Sequence, residues 1–310
     1  VNATPFPVSP VSIRADDGRE LAGLLVTAAE PRGAMLISAG SGFPREFYLK
    51  FAYYAASRGY HALVYDYRGM GKSRIEPLSR EPARMSDWGA HDIPSAFDWL
   101  AQQFPQLPLV TVGHSIGAQF VGMIRDPSRA THVMVAASVG YWKWELVPFR
   151  YLAWYFWKIH GPLMLRIHGY VPQGIAWRGL PLPRGIFEQW RGWCMRPSHF
   201  GPELEGGELR NHHFKEVRGP LLCICIEDDP IATHRTVEPL LQMYPNAEKE
   251  VRWISPKSVG ARRIGHGGFF AERHRETLWR SVLDWIDARS GAIADRASPM
   301  APSVTTPPTI

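Results

Sequence analysis

The chain has 310 residues, 45% of them hydrophobic and 21% charged. That balance excludes collagen-like, disordered and coiled-coil classes, and no apolar run of about 18 residues is present to span a bilayer. The formal charge of +6 is scattered among acids rather than drawn into a stripe, so an ordinary basic surface is expected and nucleic acid is not expected as a partner. Three cysteines, Cys194, Cys223 and Cys225, are too few for a disulfide framework, and no basic-then-apolar leader opens the chain. A reduced, cytoplasmic protein is expected.

In chain order, residues 1–10 and 290–310 are rich in Pro, Ser, Thr and Ala without periodicity and read as flexible tails. Between them, short β-rich apolar runs alternate with amphipathic stretches, the pattern of an α/β fold whose mostly parallel sheet is flanked by helices. Strands are expected at 21–27, 34–38, 62–67, 109–113, 132–137, 221–226 and 250–254. Helices are expected at 46–57, 88–103, 116–125, 236–244 and 272–289, with Ser86 as an N-cap beside the acid Asp87. The alternation stops at residue 139. From there to 217 the chain has no strand pattern, several Gly-Pro and Pro-x-Pro breaks, and seven of its twelve Trp. The core is therefore expected at 11–138 and 218–289, interrupted by a helical lid at 139–217.

Gly113-His114-Ser115-Ile116-Gly117 follows the apolar run 109–112 and precedes a helical stretch. This is G-x-S-x-G in the strand-turn-helix setting that lifts a serine above a sheet edge, with flanking glycines removing side chains that would clash. A serine hydroxyl needs a base, and the base an orienting acid, in the order Ser, Asp or Glu, His. His132, His160, His168, His212 and His213 read as core or surface residues. His266 stands in Ile264-Gly265-His266-Gly267-Gly268, a loop between the last strand and last helix that lets a side chain project over the sheet edge, and is the expected base. The acid is expected just beyond the strand 221–226, in Glu227-Asp228-Asp229-Pro230: Asp229, with Asp228 as the alternative. Ala39-Gly40-Ser41-Gly42 follows the strand 34–38, so the N–H groups of Ser41 and Ile116 are the expected oxyanion donors. The histidines lack H-E-x-x-H or H-x-x-E-H spacing and the cysteines lack C-x-x-C, so neither metal nor cofactor is expected.

These motifs, together with Asp66-Tyr67-Arg68-Gly69-Met70-Gly71-Lys72-Ser73, strongly resemble the α/β-hydrolase superfamily from residue 12 to residue 287, in its serine aminopeptidase-like or monoglyceride-lipase-like branch. Two positions depart from that pattern: Ala39 stands where relatives carry His, and Ile226 where they carry Gly. The resemblance implies that Asp66 and Arg68 support the fold, and that aspartate-nucleophile branches are excluded by Ser115. The expected activity is hydrolysis of a small, partly hydrophobic ester, less readily a thioester or amide, through an acyl-enzyme on Ser115. Acyl transfer on the same fold, or non-catalytic binding of a ligand or lipid surface, are the alternatives. The Trp-rich lid reads three ways: packing on the core, an apolar pocket, or contact with a membrane surface without spanning it. Oligomeric state is not legible.

Overall fold

A computed structural model describes residues 6–297. Its strands are β1 (Val8–Arg14), β2 (Glu20–Val26), β3 (Gly33–Ser38), β4 (Tyr60–Tyr65), β5 (Leu109–His114), β6 (Ala130–Val135), β7 (Tyr170–Val171), β8 (Leu182–Pro183), β9 (Pro220–Ile226) and β10 (Glu248–Ile254). Eight of them form one sheet in the order β1-β2-β4-β3-β5-β6-β9-β10, while β7 and β8 pair separately. The β1–β2 and β2–β4 pairings are antiparallel and every other pairing in the large sheet is parallel. Every residue of β3, β4, β5, β6 and β9 is buried, as central strands covered on both faces require. Cys223 and Cys225 share a face of β9 with their sulfurs 3.6 Å apart, and all three cysteines are free and buried.

The helices are α1 (Leu49–Ser57), α2 (Met85–Asp87), α3 (Ile93–Gln103), α4 (Ile116–Gln119), α5 (Phe149–Tyr155), α6 (Gly161–His168), α7 (Arg184–Cys194), α8 (Gly201–Glu205), α9 (His234–Gln242) and α10 (Arg280–Ala297). Among the described residues, none is long and apolar enough to cross a membrane. Several local expectations need correction. Residues 8–10 belong to β1, not to a flexible tail; the strand carries no apolar pattern because four of its seven positions are exposed at the sheet edge. Helix α10 runs to Ala297, past the expected start of the C-terminal tail; residues 1–5 and 298–310 of the two tails lie outside the described residues. Ser86 is not a cap. It sits inside α2, where the Asp87 carboxylate accepts from the Arg84 N–H at 2.8 Å, and the Ser86 hydroxyl bonds Glu208. The helix expected at 116–125 ends at Gln119 and tightens into a 3-10 turn, Val121–Met123, where a Cβ on Gly122 would stand 2.4 Å from the Phe214 ring.

Between β6 and β9 the chain runs through α5 to α8 and the β7–β8 pair. Of its seven tryptophans, Trp157 and Trp193 are buried, four are half-buried, and Trp154 alone is exposed. Trp157, Trp177, Trp190, Phe156 and Phe187 form a ring cluster with centroids 4.8–5.7 Å apart. The aromatic excess is thus largely the interior of this insert, where each ring buries a large apolar area.

Candidate active site

Strand β5 delivers the chain to a turn that enters α4 at once. Ser115 occupies that turn with φ 52° and ψ −117°, a region costly for a residue with a side chain. The packing enforces it: a Cβ on Gly113 would meet Ala118 Cα at 2.5 Å, and one on Gly117 would meet the Ser38 carbonyl oxygen at 2.4 Å. The Ser115 N–H donates to the Val135 carbonyl at 2.9 Å, pinning the turn to β6.

Two distant loops bring partners to it. His266, between β10 and α10, lies with Nε2 3.0 Å from Ser115 Oγ and Nδ1 2.7 Å from Asp229 Oδ2. Asp229 follows β9 and is 1% exposed. Its other oxygen accepts from the N–H groups of Ile231 and Ala232 at 2.8 and 3.2 Å. Burial pushes the Asp229 carboxyl up, but the His266 ring and those two N–H donors outweigh it and hold the group below its ordinary value. An ionised Asp229 requires the proton on Nδ1, which leaves the Nε2 lone pair facing the serine hydroxyl. Asp228 is turned the other way: its oxygens accept from Ile264 N–H at 3.0 Å and Gly265 N–H at 2.8 Å, bracing the loop that carries His266.

A second chain of hydrogen bonds, which the sequence order does not reveal as a unit, lies beneath the first. His114 is fully buried, and its Nε2 sits 3.0 Å from the His266 carbonyl, which can only accept. The His114 proton is therefore on Nε2, and Nδ1 accepts from the Tyr48 hydroxyl at 2.8 Å. The Tyr48 oxygen in turn accepts from the Gly40 N–H at 2.8 Å. Burial and the nearby His266 push the His114 pKa down to about 3, so the ring stays neutral. This relay ties the loop after β3 to the histidine loop. His114 is the variable position of the G-x-S-x-G motif, the one local signal; Tyr48 has none.

The N–H groups of Ser41, in the loop after β3, and of Ile116, at the start of α4, have no hydrogen-bond partner among the described residues, and neither does the buried Ser41 Oγ. The segment between β6 and β9 packs against the loop after β3: Leu180 N–H donates to the Gly42 carbonyl at 2.8 Å, and Gly42, at φ 82°, would meet the Trp177 ring at 2.5 Å with any Cβ. The insert also grips the acid loop, through Leu146 N–H to the Pro230 carbonyl and Thr233 Oγ1 to the Trp144 carbonyl, each 2.9 Å. Glu145 between them is buried with one carboxylate oxygen unpartnered; burial, then Asp229 nearby, pushes its carboxyl well above the usual range.

Asp66 accepts from the N–H groups of Arg45 and Lys72, both at 3.0 Å, and Arg68 pairs with Asp92 at 2.7 Å, so both support loops. Among the described residues the one group of three potential metal ligands is Asp16, Asp17 and His91. Arg125 pairs with Asp16 and Arg68 with Asp17, so cations of the chain itself already answer these carboxylates.

A mostly parallel sheet with an antiparallel start, a strained serine at a central strand-to-helix turn, and an acid and histidine on loops from later strands define a class of α/β enzymes built on one scaffold. The chain belongs to the Alpha/beta hydrolase family, whose model matches residues 35–296. Among solved structures it is similar to a soluble variant of monoglyceride lipase from Saccharomyces cerevisiae in complex with a substrate analog, at 16% identity and a TM-score of 0.62, covering 93% of this chain and 98% of that one. It is also similar to a thermostable carboxyl esterase from Bacillus coagulans in complex with glycerol, at 13% identity and a TM-score of 0.59, covering 91% and 99%. An alpha/beta hydrolase, GrgF, from Penicillium sp. sh18 aligns at 19% identity and a TM-score of 0.55, covering 92% and 99%. Comparison with curated proteins finds no match.

Proposed function

We propose that the protein is a serine hydrolase that cleaves esters bearing a partly hydrophobic group, with Ser115 as nucleophile, His266 as base and Asp229 as the orienting acid. The observation that carries this reading is the unbroken series Asp229 Oδ2, His266 Nδ1, His266 Nε2, Ser115 Oγ, with contacts of 2.7 and 3.0 Å. His266 takes the Ser115 proton as the oxygen attacks the ester carbonyl. The anionic oxygen is received by the Ser41 and Ile116 N–H groups, Ile116 being the first residue of α4 and so free of an intrahelical partner. His266 then gives its proton to the departing alcohol, and water cleaves the acyl-enzyme with the same base.

Residues 139–217 act as a lid in this reading. Their contacts with Gly42 and Pro230 join them to the loops that follow β3 and β9, which supports this role, and their aromatic interior supports an apolar substrate. The likeness to monoglyceride lipase and carboxyl esterase supports an ester as the substrate class. The test is labelling with a fluorophosphonate probe together with a p-nitrophenyl ester chain-length series. Wild type is expected to label and turn over, and Ser115→Ala to do neither. Equal labelling of the two proteins defeats the assignment.

A further inference from the structure

Ten of the thirteen exposed large hydrophobic residues among those described fall within residues 146–175. Helix α5, a π turn at Phe156–His160 and α6 form one continuous helical rod, about 30 Å long for its 20 residues at 1.5 Å each. Its inner face is already occupied: Ala153, Phe156, Trp157, Gly161 and Leu165 are buried, against the ring cluster of the insert. Its outer face is not. Tyr151, Tyr155, Ile159, Leu163 and Ile167 recur every four residues and are 44–60% exposed. A straight α-helix would rotate such a row by about 40° per step; the wider π turn takes back part of that drift. Leu152, 62% exposed, and Trp154, 40% exposed, widen the stripe.

Charge says what covers it. From Leu146 to Phe187 the chain has no Asp or Glu, yet it has Arg150, Lys158, Arg166, Arg178 and Arg184. Arg184 pairs with Glu188 at 3.1 Å; the other four make no ion pair among the described residues. An apolar stripe bordered by Tyr, Trp and unpaired cations is the composition of a helix lying in a lipid–water interface, where apolar side chains enter the acyl boundary and basic heads reach anionic headgroups. A second copy of this face would set four unpaired cations against four more.

We infer that the α5–α6 rod seats the protein on an anionic lipid surface, its axis in the plane of that surface. The segment leading into the rod is bonded to the loop that carries Asp229, Leu146 N–H donating to the Pro230 carbonyl, so the docked rod is tied directly to the serine site. Binding itself needs no turnover, and the inference therefore stands apart from the proposed hydrolysis.

The test uses full-length Ser115→Ala protein in co-sedimentation with phosphatidylcholine vesicles, with and without about one third phosphatidylglycerol. Binding to the anionic vesicles is expected, falling roughly fivefold for each cation no longer engaged when phosphatidylglycerol is omitted. Adding Leu152→Glu, Leu163→Glu and Ile167→Glu is expected to cut binding by roughly tenfold or more, with an unchanged thermal midpoint because all three side chains are exposed. No binding to the anionic vesicles, or equal binding by the triple variant, overturns the inference. So does a concentration-dependent dimer, in analytical ultracentrifugation, that the triple substitution dissolves while vesicle binding is absent. Turnover of a water-soluble ester is measured separately on the serine-containing protein, so its failure defeats only the hydrolase proposal.

Discussion

Replacing Tyr48 with Phe removes one oxygen and leaves the ring, whose contacts with Phe47, Phe270 and His114 have centroids 4.8–6.0 Å away. That oxygen serves two buried groups at once, accepting from Gly40 N–H and donating to His114 Nδ1, each at 2.8 Å. Tyr48 is 1% exposed and His114 0%, so water is not at hand to replace it. Each buried polar group left unsatisfied costs about 1–3 kcal/mol, and the pair about 2–6 kcal/mol, a large part of the 5–15 kcal/mol typical of a domain. Urea unfolding is expected to show a lower midpoint at unchanged slope. Tyr53→Phe, at a half-buried tyrosine, serves as control and is expected within about 0.5 kcal/mol of wild type. Because the relay runs from the loop after β3 to the His266 carbonyl, kcat on a soluble p-nitrophenyl ester should fall more than KM changes. A Tyr48→Phe protein within about 0.5 kcal/mol of wild type would refute the proton assignment along the relay.

Asp229→Asn is expected to cost kcat on the order of 10³- to 10⁴-fold: its oxygen stays with the Ile231 and Ala232 N–H groups, so its NH₂ meets His266 Nδ1 and forces the proton onto Nε2. Asp228→Asn, which keeps one acceptor for the His266 loop, should cost about tenfold or less, and equal losses in the two variants would contradict the assignment. Burial pushes His132 down to about 4, held between Thr111 Oγ1 at 2.8 Å and the Pro127 carbonyl at 2.7 Å. With the folded pKa below the unfolded value of about 6.5, the stability this neutral ring confers is full above that pH and lost as pH falls toward 4. The cost of His132→Gln should therefore shrink by about 1.4 kcal/mol per pH unit between those limits, read from urea midpoints across pH; a pH-independent cost is the contrary result. Gly117→Ala places a Cβ 2.4 Å from the Ser38 carbonyl oxygen and 2.6 Å from that of Ala39. A loss of about 2 kcal/mol or more in thermal or urea unfolding is expected, and a neutral substitution would show that the turn is not close-packed.

The elements most legible in the chain are those whose causes are local. A buried central strand such as Leu109–His114 announces itself by its aliphatic and β-branched opening, Leu109-Val110-Thr111-Val112, and the glycines around Ser115 are demanded by a few residues of backbone in close contact. The order Ser115, Asp229, His266 could likewise be read, because each follows a strand end that periodicity locates. Strand β1 was hidden because its solvent-facing edge position removes the apolar pattern, and Ser86 resembled a cap only until Arg84 and Asp87 filled that role across one turn.

What the sequence by itself determined is the alternation of strand and helix, the strained turn that holds Ser115, and the concentration of tryptophans between the strands that became β6 and β9. Tertiary structure alone decided which acid meets the histidine, because Asp228 and Asp229 are chemically equivalent until the Ile264 and Gly265 N–H groups engage one and His266 the other. It alone linked Tyr48 to His114, 66 residues apart. It also separated the tryptophans that fill the insert from the apolar row left facing outward, since composition counts apolar residues and only packing assigns their faces.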